Sequence, residues 1–360
     1  MSDTKFWVAF NRIPQLGTVR FRWLEQQYGT LQDAWQASEG SLRAAGLDSR
    51  AVREIASHRG SISPDDEMEQ LARAGGRAIT WQDDEYPARL KEIFDPPPVL
   101  YVNGSILPED WRSVAVVGTR RATAYGRQAA AMLSRDLSIA GITVVSGLAR
   151  GIDGVAHQEA LKAGGRTIAV LASGLDVIYP PEHASLASSI SQNGAVITEQ
   201  PLGTRPRAQQ FPRRNRLMSG MTLGTLVIEA GEGSGALLTV KHALEQDREV
   251  FCVPGSIFSP ASKVTNLLIQ QGAKLVYRHE DILEELNLSS IPQQLEMTAV
   301  LEPPADQEKS ILEHISMEPA HIDEIRWRSQ LPIALVSSTL AMMELKGLVR
   351  QVGGMHYVRN

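Results

Sequence analysis

The chain has a single cysteine in 360 residues, Cys252, so it can form neither an internal disulfide nor a thiolate zinc cluster. Long apolar runs are missing too. Stretches such as 225–230 are strand-sized, against the roughly 20 residues a membrane-spanning helix needs. The first residues, Met1 to Trp7, show no apolar stretch or cleavage site of a secretory signal, and a cytoplasmic location is expected. No charge of one sign dominates: 36 Lys and Arg against 41 Asp and Glu leave a net charge of -5. If the chain binds nucleic acid, its positive charge must therefore be gathered locally, because phosphate affinity depends on the field at the site. Catalytic signatures are absent as well. There is no Gly-Lys-Ser/Thr phosphate loop, no His-Glu-x-x-His, no Gly-x-Ser-x-Gly and no acidic cluster of the two-metal nuclease type. Neither a cofactor nor a metal is expected, nor is catalysis. A hydrophobic share of 43% with 21% charged residues is what a soluble globular chain carries.

Four segments follow from the hydrophobic pattern. Residues 1–85 read as short helices with apolar positions three and four apart, punctuated by Gly17, Gly29 and Gly46. They predict a small helical domain of helix-hairpin-helix or SAM-like type, in which Gly17 makes a turn. Over 86–288, strand-like runs at 114–117, 143–146, 167–171, 195–198, 226–229, 249–253 and 274–277 alternate with helical periods. That alternation predicts a doubly wound, Rossmann-like parallel sheet of the α/β class. A polar, proline-containing linker is expected over 289–306. Residues 307–360 read helix, helix, helix, strand, strand, with a hairpin about Gly353-Gly354, the order of a small winged-helix domain.

Chemistry-bearing residues collect where predicted strands end. In Val114-Ala-Val-Val-Gly-Thr-Arg-Arg121 the strand stops at Gly118, and the turn offers a backbone amide, the Thr119 hydroxyl and the Arg120 guanidinium to a phosphate. The spacing is not the dinucleotide Gly-x-Gly-x-x-Gly. Val145-Ser-Gly-Leu-Ala-Arg-Gly-Ile-Asp-Gly154 supplies Ser146, Gly147 and Gly151 on the same edge. Asp153 and His157 lie four apart, and a helix-start carboxylate hydrogen-bonded to the histidine is expected rather than a metal half-site. A third turn, Gly174 to Pro181, carries Tyr179, either a stacking ring or a packed one. Ser234 and Gly235 lie in a glycine-rich turn that starts another helix after Glu229.

The basic stretch that the net charge demands is Thr204-Arg-Pro-Arg-Ala-Gln-Gln-Phe-Pro-Arg-Arg-Asn-Arg216, with five arginines, one aromatic and no acid. Its two prolines predict a shaped loop in which Arg213, Arg214 and Arg216 grip phosphates. Phe211 stacks on an unpaired base, and Asn215 bonds a base edge or holds the loop. Together these turns and this loop predict a groove for a chain of phosphates.

Val-Gly-Thr-Arg at 117–120, Ser-Gly-Leu-Ala-Arg-Gly-Ile-Asp at 146–153, Gly-Leu-Asp-Val-Ile-Tyr-Pro at 174–180, Phe-Pro-Arg-Arg-Asn-Arg at 211–216 and Val-Pro-Gly-Ser at 253–256 resemble, in register, the DNA-processing protein A family (DprA/Smf). The resemblance covers roughly residues 86–286. It implies an extended Rossmann fold, binding of single-stranded DNA, loading of the RecA recombinase during natural transformation, and a homodimer formed through the Rossmann-like domains. It also implies DNA contacts at Gly118, Arg120, Ser146, Gly147, Phe211, Arg213, Asn215, Arg216, Ser234 and Gly235. Two other readings stay open on the residues. One is a nucleotide phosphoribohydrolase using Glu229 at a strand end, and the other is a protein-binding scaffold on a vestigial nucleotide fold. The predicted third helix of the C-terminal segment, 333–346, has one lysine and no arginine, so protein contact there is as good a reading as duplex DNA.

Overall fold

The computed structural model describes residues 3–288, 305–316, 319–346 and 348–359. The linker expected over 289–306 lies, except for its last two residues, outside the described residues. Two compact units emerge, 1–282 and 283–360.

In the larger unit five strands form the middle of the sheet and are buried along their whole length: β3 (Ser113–Val117), β4 (Thr143–Ser146), β5 (Thr167–Val170), β6 (Gly194–Thr198) and β7 (Gly224–Val227). Strands covered on both faces read as continuous β-branched and small apolar runs, which is how these read. With β1 (Arg77–Thr80), β2 (Val99–Gly104), β8 (Glu249–Cys252) and β9 (Lys274–Leu275), the order is β1-β2-β6-β5-β4-β3-β7-β8-β9. All pairs from β6 to β9 are parallel, whereas β2 runs antiparallel to β6 and β1 antiparallel to β2. The fold is thus α/β and Rossmann-like, with an antiparallel extension at one edge. Its first strand, β1, precedes residue 86. Cys252, at the end of β8, is buried, and burial pushes its thiol up to about 12.

The N-terminal helices are α1 (Thr4–Asn11), α2 (Thr18–Tyr28), α3 (Leu31–Gln36), α4 (Glu39–Ala44), α5 (Ser49–Arg59) and α6 (Pro64–Arg73), and α3 to α6 start where their sequences supply caps. The side chains of Thr30, Ser38, Asp48 and Ser63 each accept a backbone N–H of the first turn. Trp7 stacks on Phe21 and meets Trp81 edge-on just after β1, so helices and sheet share one apolar core. The Gly17 turn packs on the proline-rich segment, with the Thr18 hydroxyl donating to the Pro96 carbonyl at 2.8 Å. The sheet's remaining helices include α7 (Ala88–Glu92), α8 (Ala124–Ile139), α9 (Ile152–Lys162), α10 (Ala184–Gln192), α11 (Gln210–Met221), α12 (Ala236–Glu245) and α13 (Lys263–Gln270).

The expected Asp153–His157 hydrogen bond is corrected. His157 is fully buried, and its Nδ1 lies 2.7 Å from the Thr167 hydroxyl. That hydroxyl donates to the Val144 carbonyl, so the ring donates from Nδ1. Burial first, then the charges of His183 and Arg214, push His157 down to about 3. The folded chain therefore resists a proton that the unfolded chain accepts near pH 6.5, and stability falls as pH drops below that value. Between pH 6.5 and 5 the loss should be about 2 kcal/mol. Urea unfolding at the two pH values should show this slope in the native chain and not in His157→Asn, whose amide can still donate to Thr167.

In the smaller unit, helices Ala305–Leu312, Ile322–Ser329 and Ile333–Leu345 accompany a three-stranded antiparallel sheet of Ala320–His321, His356–Arg359 and Val349–Gln351. Ile311, Ile325, Val336, Leu340 and Met343 form its core. This is a winged-helix arrangement, with one short strand more than the expected pair. Among the described residues no helix is long and apolar enough to cross a membrane.

Candidate nucleic-acid interface

The strand order reverses at β3: β4, β5 and β6 are added on one side and β7 on the other. A crevice must therefore open beyond the carboxyl ends of β3 and β7, where doubly wound sheets bind ligands. A cleft of about 600 Å³ lies there, lined by Gly118 to Arg121 after β3, by Ala149 and Asp153 after β4, and by Gly231 to Ala236 after β7.

Its remaining wall is α11, and here the sequence expectation is corrected. The basic stretch is helical from Gln210 onward, because Pro212 falls in the first turn, where its missing N–H breaks no helical bond. Phe211, Arg214, Asn215 and Met218, spaced i, i+3, i+4 and i+7, form one face and line the cleft. Arg213 turns instead toward a separate hollow beside Gly17, Thr18 and Arg20. Arg216 is buried in an ion pair with Glu199, with Asp95 at 3.6 Å. Helix phase divides the arginines, so the single track expected of Arg213, Arg214 and Arg216 does not exist as such.

At the mouth, the Arg120 guanidinium lies over the Phe211 ring at 5.0 Å, within cation–π range. The Phe211 ring is 5.9 Å from that of Tyr179, which is 42% exposed. A guanidinium and two rings thus stand side by side at the rim. Arg121, which the sequence reading did not nominate, is exposed on the same turn.

Beneath the rim, Arg214 is buried, its Nη1 donating to the Val170 carbonyl. Burial pushes its guanidinium down to about 10, against the opposing pull of Asp153. Burial likewise raises Asp153, against Arg214 and the backbone amides of Gly147 and Ala149, which it accepts at 3.1 and 3.4 Å. The Ser146 hydroxyl donates to the Val116 carbonyl at 2.6 Å. The Ser146 hydroxyl and the Gly147 amide are therefore engaged inside the protein and are not free to face the cleft, a third correction. Gly147 carries no side chain because a methyl group there would overlap the Arg214 guanidinium. Gly151, at φ +77°, lets its turn press against the Thr119 carbonyl.

Thr119 donates its amide to the Glu229 carbonyl, and its hydroxyl accepts from the Arg121 amide. Asn215 donates to the Gly235 carbonyl at 3.3 Å, tying α11 to the start of α12, where Ser234 and Gly235 line the cleft. The structure therefore brings together Gly118, Thr119, Arg120, Phe211, Arg214, Asn215, Ser234 and Gly235. It places Ser146, Gly147 and Gly151 behind them, and Arg213 and Arg216 elsewhere. Among the described residues no group of three or more His, Cys, Asp or Glu is arranged to hold a metal ion.

Comparison with known proteins gives two family matches. Residues 77–287 match the model of DNA recombination-mediator protein A, and residues 296–355 match the DprA winged helix domain. Protein Smf of Synechocystis is 33% identical over 99% of both chains. The X-ray structure of DNA processing protein A from Streptococcus pneumoniae superposes with a TM-score of 0.68 at 32% identity, covering 79% of this chain and 99% of that one. DNA processing protein A of Helicobacter pylori, whose structure addresses its single-stranded DNA binding mode, gives a TM-score of 0.53 at 29% identity, covering 59% and 97%.

Proposed function

The chain belongs to the DNA recombination-mediator protein A family, and from that premise we propose that it binds single-stranded DNA in the cleft at β3 and β7 without catalysing a reaction. As a homodimer it passes the strand to the RecA recombinase during natural transformation or related DNA processing. The observation that carries the binding step is the Arg120–Phe211 pair at the rim, one cation for a phosphate beside one ring for a base. A ring face serves only a base that is not already stacked in a duplex, which favours an unpaired strand. Gly118, Thr119, Asn215, Ser234 and Gly235 shape the cleft around that pair. RecA transfer and dimerisation rest on family membership alone.

Two carboxylates near the cleft speak against the phosphoribohydrolase reading. Asp153 accepts two backbone amides, and the Glu229 carboxylate is held by Thr123 with 1% of the residue exposed, so both carboxylates are engaged by the protein itself. The testing experiment is a salt titration of oligo-dT binding by mobility shift. Arg120→Ala is expected to lower the slope of log K against log salt by about one, the signature of one lost phosphate contact. Arg216→Ala, its guanidinium paired internally, should leave that slope unchanged. An unshifted oligo-dT at physiological salt, or an unchanged slope in Arg120→Ala, overturns the reading.

A further inference from the structure

Strands β7 and β8 are parallel, so the carboxyl edge that carries the cleft continues past β7 to the loop after β8. Residues 256–259 of that loop form a β-turn. The Ser259 amide donates to the Ser256 carbonyl at 3.0 Å, and the Ser256 hydroxyl accepts the Phe258 amide at 3.2 Å. Turn corners usually carry Gly, Pro, Asn, Asp or Ser. Here they are Ile257 and Phe258, 85% and 88% exposed. The loop is tied to the cleft on both sides of the turn. Before it, the Tyr125 hydroxyl on the first turn of α8 donates to the Pro254 carbonyl at 2.6 Å. After it, Lys263 pairs with Glu232 of the cleft wall at 2.6 Å, and the Val264 amide donates to the Ala230 carbonyl at 3.1 Å. Tyr125 is itself 49% exposed. Arg121 and Arg127, on either side of it in the chain, are exposed and enter no ion pair among the described residues. The Arg127 Nη1 donates to the Ala122 carbonyl, which holds that guanidinium at the start of α8.

We propose that the Ile257-Phe258 turn and Tyr125 form a second base platform, over which an unpaired strand continues from the Phe211 end of the cleft, with Arg121 and Arg127 taking its phosphates. The proposal rests on reading the cleft as a single-strand site. A turn closed by its own hydrogen bonds holds both corner side chains outward, so their apolar surface is covered only when a ligand lies on it. Cations beside ring faces are what a single strand selects, because backbone charge and bare bases run side by side along it. The rim already shows that combination in Arg120 and Phe211. Along the edge between the two platforms the cleft wall adds no bare negative charge to repel the backbone, since Glu232 is neutralised by Lys263. The second platform therefore lengthens the site rather than deepening the cleft, and it acts only on strands long enough to reach it.

The test uses the whole chain with two probes, oligo-dT of about 4 and of about 16 nucleotides, the short one filling the Phe211 end alone. Phe258→Ala is expected to weaken binding of the long probe about tenfold and to leave the short one unchanged. Phe258→Trp, which keeps a ring face, should bind both as the native chain does. Both side chains are exposed, so these changes leave the core intact. As a direct readout, a long probe carrying 5-iododeoxyuridine should photocrosslink to the 257–258 turn as well as to Phe211. Native affinity of Phe258→Ala for the long probe overturns the proposal, as does an equal loss on both probes, which would mean that the loop only shapes the cleft. No adduct at the turn overturns it too. A variant that keeps its oligo-dT affinity but loses self-association in light scattering would assign the turn to a contact between copies, again against the proposal. A native chain that binds neither probe overturns the single-strand reading itself, and the platform with it.

Discussion

Replacing Arg214 with alanine is expected to lower folding stability by about 3–5 kcal/mol, the usual cost of leaving a buried charge without its counter-charge. The guanidinium sits at the bottom of the cleft, closed over by Gly147 and donating to the Val170 carbonyl at the end of β5. Without it, Asp153 keeps its buried carboxylate with two backbone amides and only the more distant charge of Arg120. Burial already shifts both partners toward their neutral forms, down for Arg214 and up for Asp153. Desolvation therefore outweighs their attraction, and the two charges together contribute little net stability. The consequence separates this account from a simple loss of packing. In the double variant Arg214→Met, Asp153→Asn, the amide oxygen still accepts from Gly147 and Ala149 and no charge is stranded. That variant should recover most of the loss in urea denaturation, and equal losses in the single and double variants would show that the stranded charge is not the cause.

Phe211→Ala is expected to weaken oligo-dT binding by about ten- to a hundredfold, corresponding to the roughly 1–3 kcal/mol of one base–aromatic stack. The ring is half-buried at the start of α11, with Arg120 on it and Tyr179 beside it. Its removal takes away the stacking surface and the support of the guanidinium at once. No phosphate contact is lost directly, so the salt slope should hold while affinity falls at every salt concentration, the converse of Arg120→Ala. Phe211→Trp, which keeps a flat π face, should retain binding. A slope that drops in Phe211→Ala would mean that the ring acts only by holding Arg120 in place.

Much of the architecture was legible. The run 143–146 is β4 with the same bounds, and 114–117, 195–198 and 249–253 fall within a residue of β3, β6 and β8 at each end. Each is an apolar run closed by glycine or polar residues, a signal carried by neighbours in the chain. The turns after β3 and β7 were legible for the same reason. Helix α11 was not. Two prolines and five arginines within 13 residues suggested an open loop, although 211, 214, 215 and 218 already carried a helical period. The 146–147 turn misled in another way, since nothing local marks that its hydroxyl is claimed by Val116 and its amide by Asp153.

By itself, then, the sequence determined a parallel α/β sheet, a C-terminal winged helix and a basic segment at the end of a strand, because strand alternation, turn glycines and charge density are properties of adjacent residues. Only the tertiary structure decided which cations face the cleft. Arg216 is withdrawn by Glu199, 17 residues away in the chain, and Arg214 by Asp153 on α9 and the Val170 carbonyl of β5. Arg120 is left at the rim over Phe211. Those pairings depend on which elements the sheet order makes neighbours, and burial then decides which charges must be matched internally and which remain for a ligand.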